Sequence, residues 1–256
     1  MRILFKEMFQ INNKIARNIL VSCDHGIMCV NRFDYNTNNV GASSSLLDHG
    51  NNCTVEADAC IKAISHIKNP IIFDVGANIG TFTSWMARYF TEGKIYCFEP
   101  QRLVYQILCA NLAINNLHNV YAYNAAIGNL DAKIKILEPN YDIPNDFGTF
   151  SLVRNTIENK TSELIIDIFT LDNFVQTNEI PKIDLLKIDA EGMDYSVLAG
   201  AKKVIELFKP IIFIEYFDNY ENNKDNIENY LTENNYTCNY LGNNIIALPK
   251  KEENGQ

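Results

Sequence analysis

What the chain has little of narrows its class first. Among 256 residues there are only twelve Gly and four His, and no run of Lys or Arg is long enough to follow a phosphate backbone. With a formal charge of −9 and an isoelectric point near 5.0, nucleic acid is a disfavoured partner. The seven Cys are scattered, odd in number and without a C-x-x-C pair. That usage speaks against a disulfide scaffold or a zinc site and for reduced thiols in a cytoplasmic protein. Every apolar stretch is too short or too interrupted for a signal peptide or a membrane span. No internal repeat is visible, which removes solenoid architectures.

What is present suits a packed core: 47% of residues are hydrophobic and 21% charged. The length predicts one α/β domain over residues 70–249, preceded by a helical and loop extension over 1–69 and followed by a frayed polar tail over 250–256. Within the extension, Leu4, Met8, Ile11, Ile15 and Ile19 recur at helical spacing beside Lys6, Lys14 and Arg17. An amphipathic helix over Met1–Val21 is expected, docked on the domain or on a second copy in a homodimer.

From Pro70 onward, short β-rich runs alternate with helical ones, the pattern of a parallel sheet covered on both faces. The expected strands are Ile71–Val75, Lys94–Phe98, Val120–Ala125, Asp184–Asp189 and Ile211–Tyr216. The expected helices are Phe82–Phe90, Val104–Asn115 and Tyr195–Phe208, the last stopped by Pro210. Tyr236–Leu241 and Asn244–Leu248 flank Gly242-Asn243 and read as a tight antiparallel hairpin. The insert over Lys133–Phe169 contains two strand-like runs, Lys133–Leu137 and Leu164–Ile168, separated by an Asn-rich loop carrying Gly148-Thr149-Phe150-Ser151. It reads as an excursion over the carboxyl ends of the strands, where open α/β sheets place ligands.

The chemistry concentrates in Phe73-Asp74-Val75-Gly76-Ala77-Asn78-Ile79-Gly80, a strand-to-helix turn. Gly76 and Gly80 let the backbone approach a ligand and can adopt positive φ. Asp74 at the strand end can hold the ammonium of an amino-acid moiety. Roughly 20 residues after Gly80, Glu99 in Phe98-Glu99-Pro100 can accept both hydroxyls of an adenosine ribose. A dinucleotide fingerprint would read G-x-G-x-x-G and seat pyrophosphate on the helix N-terminus. Here the turn reads G-x-N-x-G behind an acid, which repels pyrophosphate and attracts a zwitterionic methionine. S-adenosyl-L-methionine is thereby favoured over a nicotinamide. A nicotinamide-dependent oxidoreductase stays as the alternative, with a non-catalytic scaffold behind it.

The chain resembles the FkbM-type family of methyltransferases, from Gly26 to about Tyr216. Besides the two segments above, the resemblance rests on Asn124-Ala125-Ala126-Ile127-Gly128, Thr170-Leu171-Asp172 and Leu186-Lys187-Ile188-Asp189-Ala190-Glu191-Gly192. The glycine turn is shared by many methyltransferases, whereas I-D-x-E-G is far more particular. The resemblance implies the α/β class I methyltransferase fold, a Rossmann-like, doubly wound, mostly parallel seven-stranded sheet with a C-terminal antiparallel hairpin. It also implies methyl transfer to oxygen, commonly to a hydroxyl of a sugar, a glycan or a small natural product. The implied cofactor-binding set is Asp74, Gly76, Ala77, Asn78, Gly80, Thr81, Glu99, Pro100, Asn124, Ala125, Ala126 and Asp189. Gly50 and Glu56 resemble the family's glycine and acid ahead of the first strand and are expected over the cofactor as part of a lid.

A hydroxyl is a poor nucleophile until a base takes its proton, so the transfer needs alignment and a carboxylate or imidazole within reach. Asp189, at the end of the fourth strand, is the first candidate catalytic group, Glu191 the second and His49 the third, with His25 beside it near the cofactor mouth. The same two acids could instead cap the following helix, or with Glu215 hold a cation, although no metal ligand is assigned. Lys187 could pair with an acid near the pocket. Tyr216, Phe217 and Tyr220 could stack on a sugar ring.

Overall fold

Strands buried on both faces need no polar side, and the continuously apolar runs of this sequence fold accordingly. The computed structural model describes residues 10–11, 14–36, 41–151, 160–216 and 223–251. The first elements are β1 (Gln10–Ile11), β2 (Lys14–Ile15), β3 (Asn18–Cys23), β4 (Gly26–Asn31), α1 (Ala42–Asp48) and α2 (Thr54–Ile64). There follow β5 (Ile71–Val75), α3 (Thr81–Tyr89), β6 (Lys94–Phe98), α4 (Arg102–Ile114), β7 (Val120–Tyr123), β8 (Ala125–Ile127), β9 (Ala132–Pro139) and β10 (Lys160–Phe169). The chain continues through α5 (Leu171–Thr177), β11 (Leu185–Ile188), α6 (Asp194–Ala199), α7 (Lys202–Phe208), β12 (Ile211–Glu215), α8 (Asn223–Glu233), β13 (Tyr236–Leu241) and β14 (Asn244–Pro249).

The main sheet has seven strands in the order β13-β14-β12-β11-β5-β6-β7. β7, β6, β5, β11 and β12 run parallel, while β14 is antiparallel to both β12 and β13. The strand order reverses at β5, so a crevice opens beyond the carboxyl ends of β5, β6 and β11, the place where such sheets bind ligands. One face packs Phe73, Phe98, Leu186 and Ile188 against residues of α5 to α8, and the other packs Ile72, Ile95, Leu185 and Phe213 against α2 and α3. Phe174 of α5 meets the rings of Phe98 and Tyr123 edge-on, each with its centroid 4.9 Å away, and so ties the end of β6 to the core.

Several expectations are corrected. Residues 1–9 and 12–13 lie outside the described residues, but those described between Gln10 and Cys23 form strands and no helix, and β3 pairs antiparallel with β4. The run Ile19-Leu20-Val21 leads into a turn closed by Gly26 at φ 96°, and hairpin chemistry outweighs the helical spacing of the isoleucines. The strand expected over Val120–Ala125 divides at Asn124, and β8 joins a second sheet, β8-β10-β9. Both strand-like runs of the insert are paired strand, β9 with β10, and Gly148 and Phe150 of the loop after Pro139 line the crevice, as expected. The helix expected over Tyr195–Phe208 divides at Gly200, where a Cβ would lie 1.9 Å from the Gly128 carbonyl oxygen. Backbone meets backbone there, and the helix axis breaks. Among the described residues, no helix is long and apolar enough to cross a membrane.

Phe174→Ala removes the ring on which this aromatic cluster closes. A loss of about 3–5 kcal/mol in urea unfolding is expected, the range for truncating a buried Phe.

Candidate active site

The turn after β5 is built by its neighbours. The N–H groups of Gly76 and Ala77 both donate to the carbonyl of Phe98, at 3.0 and 2.9 Å, fastening the turn to the end of β6. Gly76 sits at φ 81°, and a Cβ there would lie 1.7 Å from the carbonyl oxygen of Asp189. Glycine is required so that β11 can close on the turn, in addition to any ligand.

Glu99 is almost fully buried and accepts two backbone hydrogen bonds, Asn78 N–H to Oε2 at 3.0 Å and Gln101 N–H to Oε1 at 2.8 Å. Each oxygen keeps a lone pair for a further donor. Burial raises its pKa to about 7, against the opposing pull of the two N–H groups. Beside it opens a cavity lined by Gly76, Asn78, Glu99, Pro100, Ala125 and Ala126, and closed on the far side by Asp189, Ala190 and Glu191. Asn78 Oδ1 is buried without a hydrogen-bond partner, an acceptor left for a ligand.

Asp74 does not reach this cavity. It is fully buried, accepts from the Thr83 hydroxyl, and the ammonium it meets is that of Lys187, 3.0 Å from Oδ1. Lys187 Nζ also stands 3.3 Å from Asp189 Oδ2 and donates to the Gly76 carbonyl at 3.1 Å. Burial alone would discharge this lysine, but Asp74 and then Asp189 hold its pKa above the usual value. The direct ammonium contact expected of Asp74 is thus replaced by a buried ion pair that steadies the turn.

The segment after β11 turns through Glu191 at φ 49° and Gly192 at φ 95°. Asp194 holds that turn, accepting from Ala190 N–H at 2.8 Å and Gly192 N–H at 3.0 Å. The capping role considered for Asp189 and Glu191 therefore falls to Asp194. Carboxylate oxygens of Asp189, Glu191 and Glu215 all lie within 4.8 Å of one another, a spacing that suits a cation. The positive charge already at their edge is the ammonium of Lys187.

Other expected residues lie away from the lining. Ala77, Gly80 and Thr81 are buried behind the turn, and Thr81 Oγ1 donates to Asn52 Oδ1 at 2.9 Å. Asn124 donates to the carbonyls of Glu99 and Pro100 at 2.8 and 3.1 Å, so it shapes the Glu99 turn where an adenine contact was expected. His49 is exposed at the end of α1. His25 is fully buried, and its ring meets Trp85 edge-on at 5.1 Å. Gly50, Glu56 and Tyr216 do not line the cavity either, and Phe217 and Tyr220 fall outside the described residues.

Gln101, Gly148, Phe150, Ile127 and Met193 line the cavity without having been singled out as ligand contacts. Gly148 and Phe150 are brought there by Asp34, whose carboxylate accepts Ser43 N–H and Phe147 N–H, both at 2.9 Å. Gln101 Nε2 donates to the Phe147 carbonyl at 2.8 Å and completes the anchor. The N-terminal region thus acts on the cavity through the insert loop. The segment Gly148-Thr149-Phe150-Ser151 in an Asn-rich loop, expected over the strand ends, was the sequence signal for this wall.

A sheet reversed at β5, a carboxylate at the end of β6 and an antiparallel β14 define the class I methyltransferase fold. The same fold is seen in precorrin-6y C5,15-methyltransferase from Geobacter metallireducens GS-15, with a TM-score of 0.50 at 9% identity over 86% of this chain and 95% of that one. The chain belongs to the FkbM methyltransferase family, because the profile of the methyltransferase FkbM domain matches residues 74–238. It is 28% identical over 171 residues to methyltransferase sdnD of Sordaria araneosa, covering 56% of this chain and 64% of that protein. It is 23% identical over 159 residues to 2-O-methyltransferase NoeI of Sinorhizobium fredii (strain NBRC 101917 / NGR234), covering 59% and 64%. The chain spans less than two thirds of the length of these relatives.

Lys187→Met strips the buried Asp74 of its partner. A loss of about 3–5 kcal/mol is expected in chemical unfolding, and part of it should return in the double variant Lys187→Met, Asp74→Asn, which no longer buries a lone charge.

Proposed function

We propose that the chain is an S-adenosyl-L-methionine-dependent O-methyltransferase acting on a hydroxyl of a sugar, a glycan or a small natural product. One observation carries the reading. A single cavity has the Glu99 carboxylate on one side of Gly76 and the Asp189 carboxylate on the other. β6 and β11 flank β5, which sets the two roughly 10 Å apart by sheet spacing. The residues present fit the cofactor: Glu99 has lone pairs for two ribose hydroxyls, Asn78 Oδ1 lacks a donor, and Ala125 and Ala126 leave room for a flat base.

When bound, the cofactor supplies an electrophilic methyl group. Glu99 would hold its ribose by accepting both hydroxyls. Phe150 and Met193 keep water from the reacting groups. Asp189, half-exposed and fixed from behind by Lys187, accepts the proton that the acceptor hydroxyl gives up. Transfer to oxygen agrees with family membership and with a relative named as a 2-O-methyltransferase. A polar acceptor agrees with the pair of acids at that end of the cavity. A dinucleotide would set its pyrophosphate against these carboxylates, which disfavours the nicotinamide reading.

Calorimetry with S-adenosylhomocysteine tests the proposal. Binding is expected in the micromolar range or tighter, Glu99→Ala should weaken it at least about tenfold, and NADH should not compete. Ribose hydroxyls favour the ionised Glu99, so binding releases a proton below its folded pKa of about 7. Affinity should therefore fall by up to about tenfold for each pH unit below that value. The stability linkage has the opposite sign. A pKa raised from 4.5 to about 7 destabilises the ligand-free fold as pH rises through that window. No heat at millimolar ligand would sink the reading.

A further inference from the structure

The two backbone N–H groups that fix Glu99 belong to Asn78 and Gln101, and the side-chain amides of both residues face one short stretch of the insert loop. Gln101 Nε2 donates to the Phe147 carbonyl at 2.8 Å, while its Oε1 accepts from the Tyr141 hydroxyl at 3.1 Å. A Cβ on Gly148 would lie 3.1 Å from Asn78 Nδ2, so the loop backbone stands against that amide. The segment after β4 holds the same stretch from behind. Asn31 Nδ2 donates to the Tyr141 carbonyl at 3.0 Å, Asn145 N–H to the Phe33 carbonyl at 2.9 Å, and Phe147 N–H to Asp34 Oδ1 at 2.9 Å. One continuous path therefore runs from Asp34 through the Phe147 backbone and Gln101 to the Glu99 carboxylate. Asp34 is buried, and its other oxygen accepts from Ser43 N–H, which makes it a fixed point for the path.

We infer that Asp34 is a positioning residue for Glu99: through the loop it anchors, it holds the side chains of Gln101 and Asn78 and keeps the Glu99 carboxylate buried and aimed into the cavity. The inference rests on the reading of Glu99 as the acid that accepts the cofactor's ribose hydroxyls. Loop and carboxylate form one unit. Without the anchor the loop lifts, water reaches Glu99, and its side chain is free to turn from a ligand. Burial is the largest cause of the raised Glu99 pKa of about 7, and the titratable groups that face it are Lys187, Asp74 and Tyr141. Water entry lowers that value toward the ordinary carboxylate range. Asp34 stands two hydrogen-bonded residues away, so its replacement by Asn, which keeps one acceptor oxygen and loses the other, acts on Glu99 through the loop.

Carboxyl carbon NMR on the ligand-free full chain, labelled at Glu Cδ, tests the inference, with Glu99 identified by the resonance lost in Glu99→Gln. Wild-type Glu99 should titrate near 7. In Asp34→Asn, and separately in Gln101→Met, which cuts the path at its other end, the midpoint should fall by at least about one pH unit. The two changes together should shift it no further than the larger single shift, because they interrupt one path. Asp172→Asn is the matched control. Asp172 also accepts two backbone N–H groups, Lys203 at 3.1 Å and Val204 at 2.9 Å, outside the cavity lining, and its loss should leave the midpoint in place. A midpoint unmoved in either path variant, or moved equally in Asp172→Asn, would overturn the positioning role. S-adenosylhomocysteine calorimetry well above the wild-type midpoint supplies a second reading. Asp34→Asn should weaken binding about fivefold in the wild-type background and less than about twofold in Glu99→Ala. An equal loss in both backgrounds would mean that Asp34 acts on the ligand without Glu99, which overturns the inference as well. Absence of binding to the wild type would fell the methyltransferase reading while the titration still decides what Asp34 does.

Discussion

The structure turns on one buried ammonium. Lys187 lies between Asp74 of β5 and Asp189 beyond β11, touching both carboxylates and the Gly76 carbonyl. Two adjacent parallel strands that each ended in an unpaired acid would repel at their tips, and burying either acid alone would cost several kcal/mol. The lysine offsets both costs and draws the strand ends together. The close approach that follows is what makes a side chain impossible at Gly76.

With these ends fixed, the cavity is assembled from parts distant in sequence. Phe98 accepts from the Gly76 and Ala77 N–H groups, Glu99 accepts from Asn78 and Gln101, and Asn124 holds the Glu99 and Pro100 carbonyls. These bonds come from the turn after β5, from Gln101 and from Asn124 after β7, so the position of the Glu99 carboxylate is determined several times over. On the other wall, buried Asp34 joins α1 to the insert loop and holds Gly148 and Phe150 where they face Glu99. Asp34, in the segment between β4 and α1, thus has a structural task at the cavity although it does not line it.

Division of labour among the acids has a clear physical basis. Asp194, fully buried, spends both oxygens on the N–H groups of Ala190 and Gly192 and so holds a turn that has Glu191 in the left-handed region. Because Asp194 does this, Asp189 and Glu191 are presented to the cavity. Asp74 is consumed by Lys187 and Thr83 and acts at a distance, through the shape of the turn. Four acids within one short stretch of sheet edge thus do different things, set by burial and by the donor each one meets.

The sequence by itself determined the alternation of strands and helices, the sheet class, the C-terminal hairpin and the residues Gly76, Asn78, Glu99, Ala125, Ala126 and Asp189 at the cavity. These were legible because apolar runs, glycine at a strand end and an acid at a fixed interval are local signals, carried by neighbours in the chain. Only the tertiary structure decided which acids face the cavity and which are buried. Asp74 and Asp189 look alike in sequence, and Lys187 distinguishes them by pairing deeply with one and grazing the other. The N-terminal hairpin and the break at Gly200 were equally out of reach, and for Gly148 and Phe150 the sequence showed the place over the strand ends but not the contact with Asp34 that holds them there. The break and the anchoring of the loop depend on partners more than 60 residues away, the Gly128 carbonyl against Gly200 and the Asp34 carboxylate against Phe147 N–H. Local pattern fixes what an element is, and long-range contact fixes what its side chains meet.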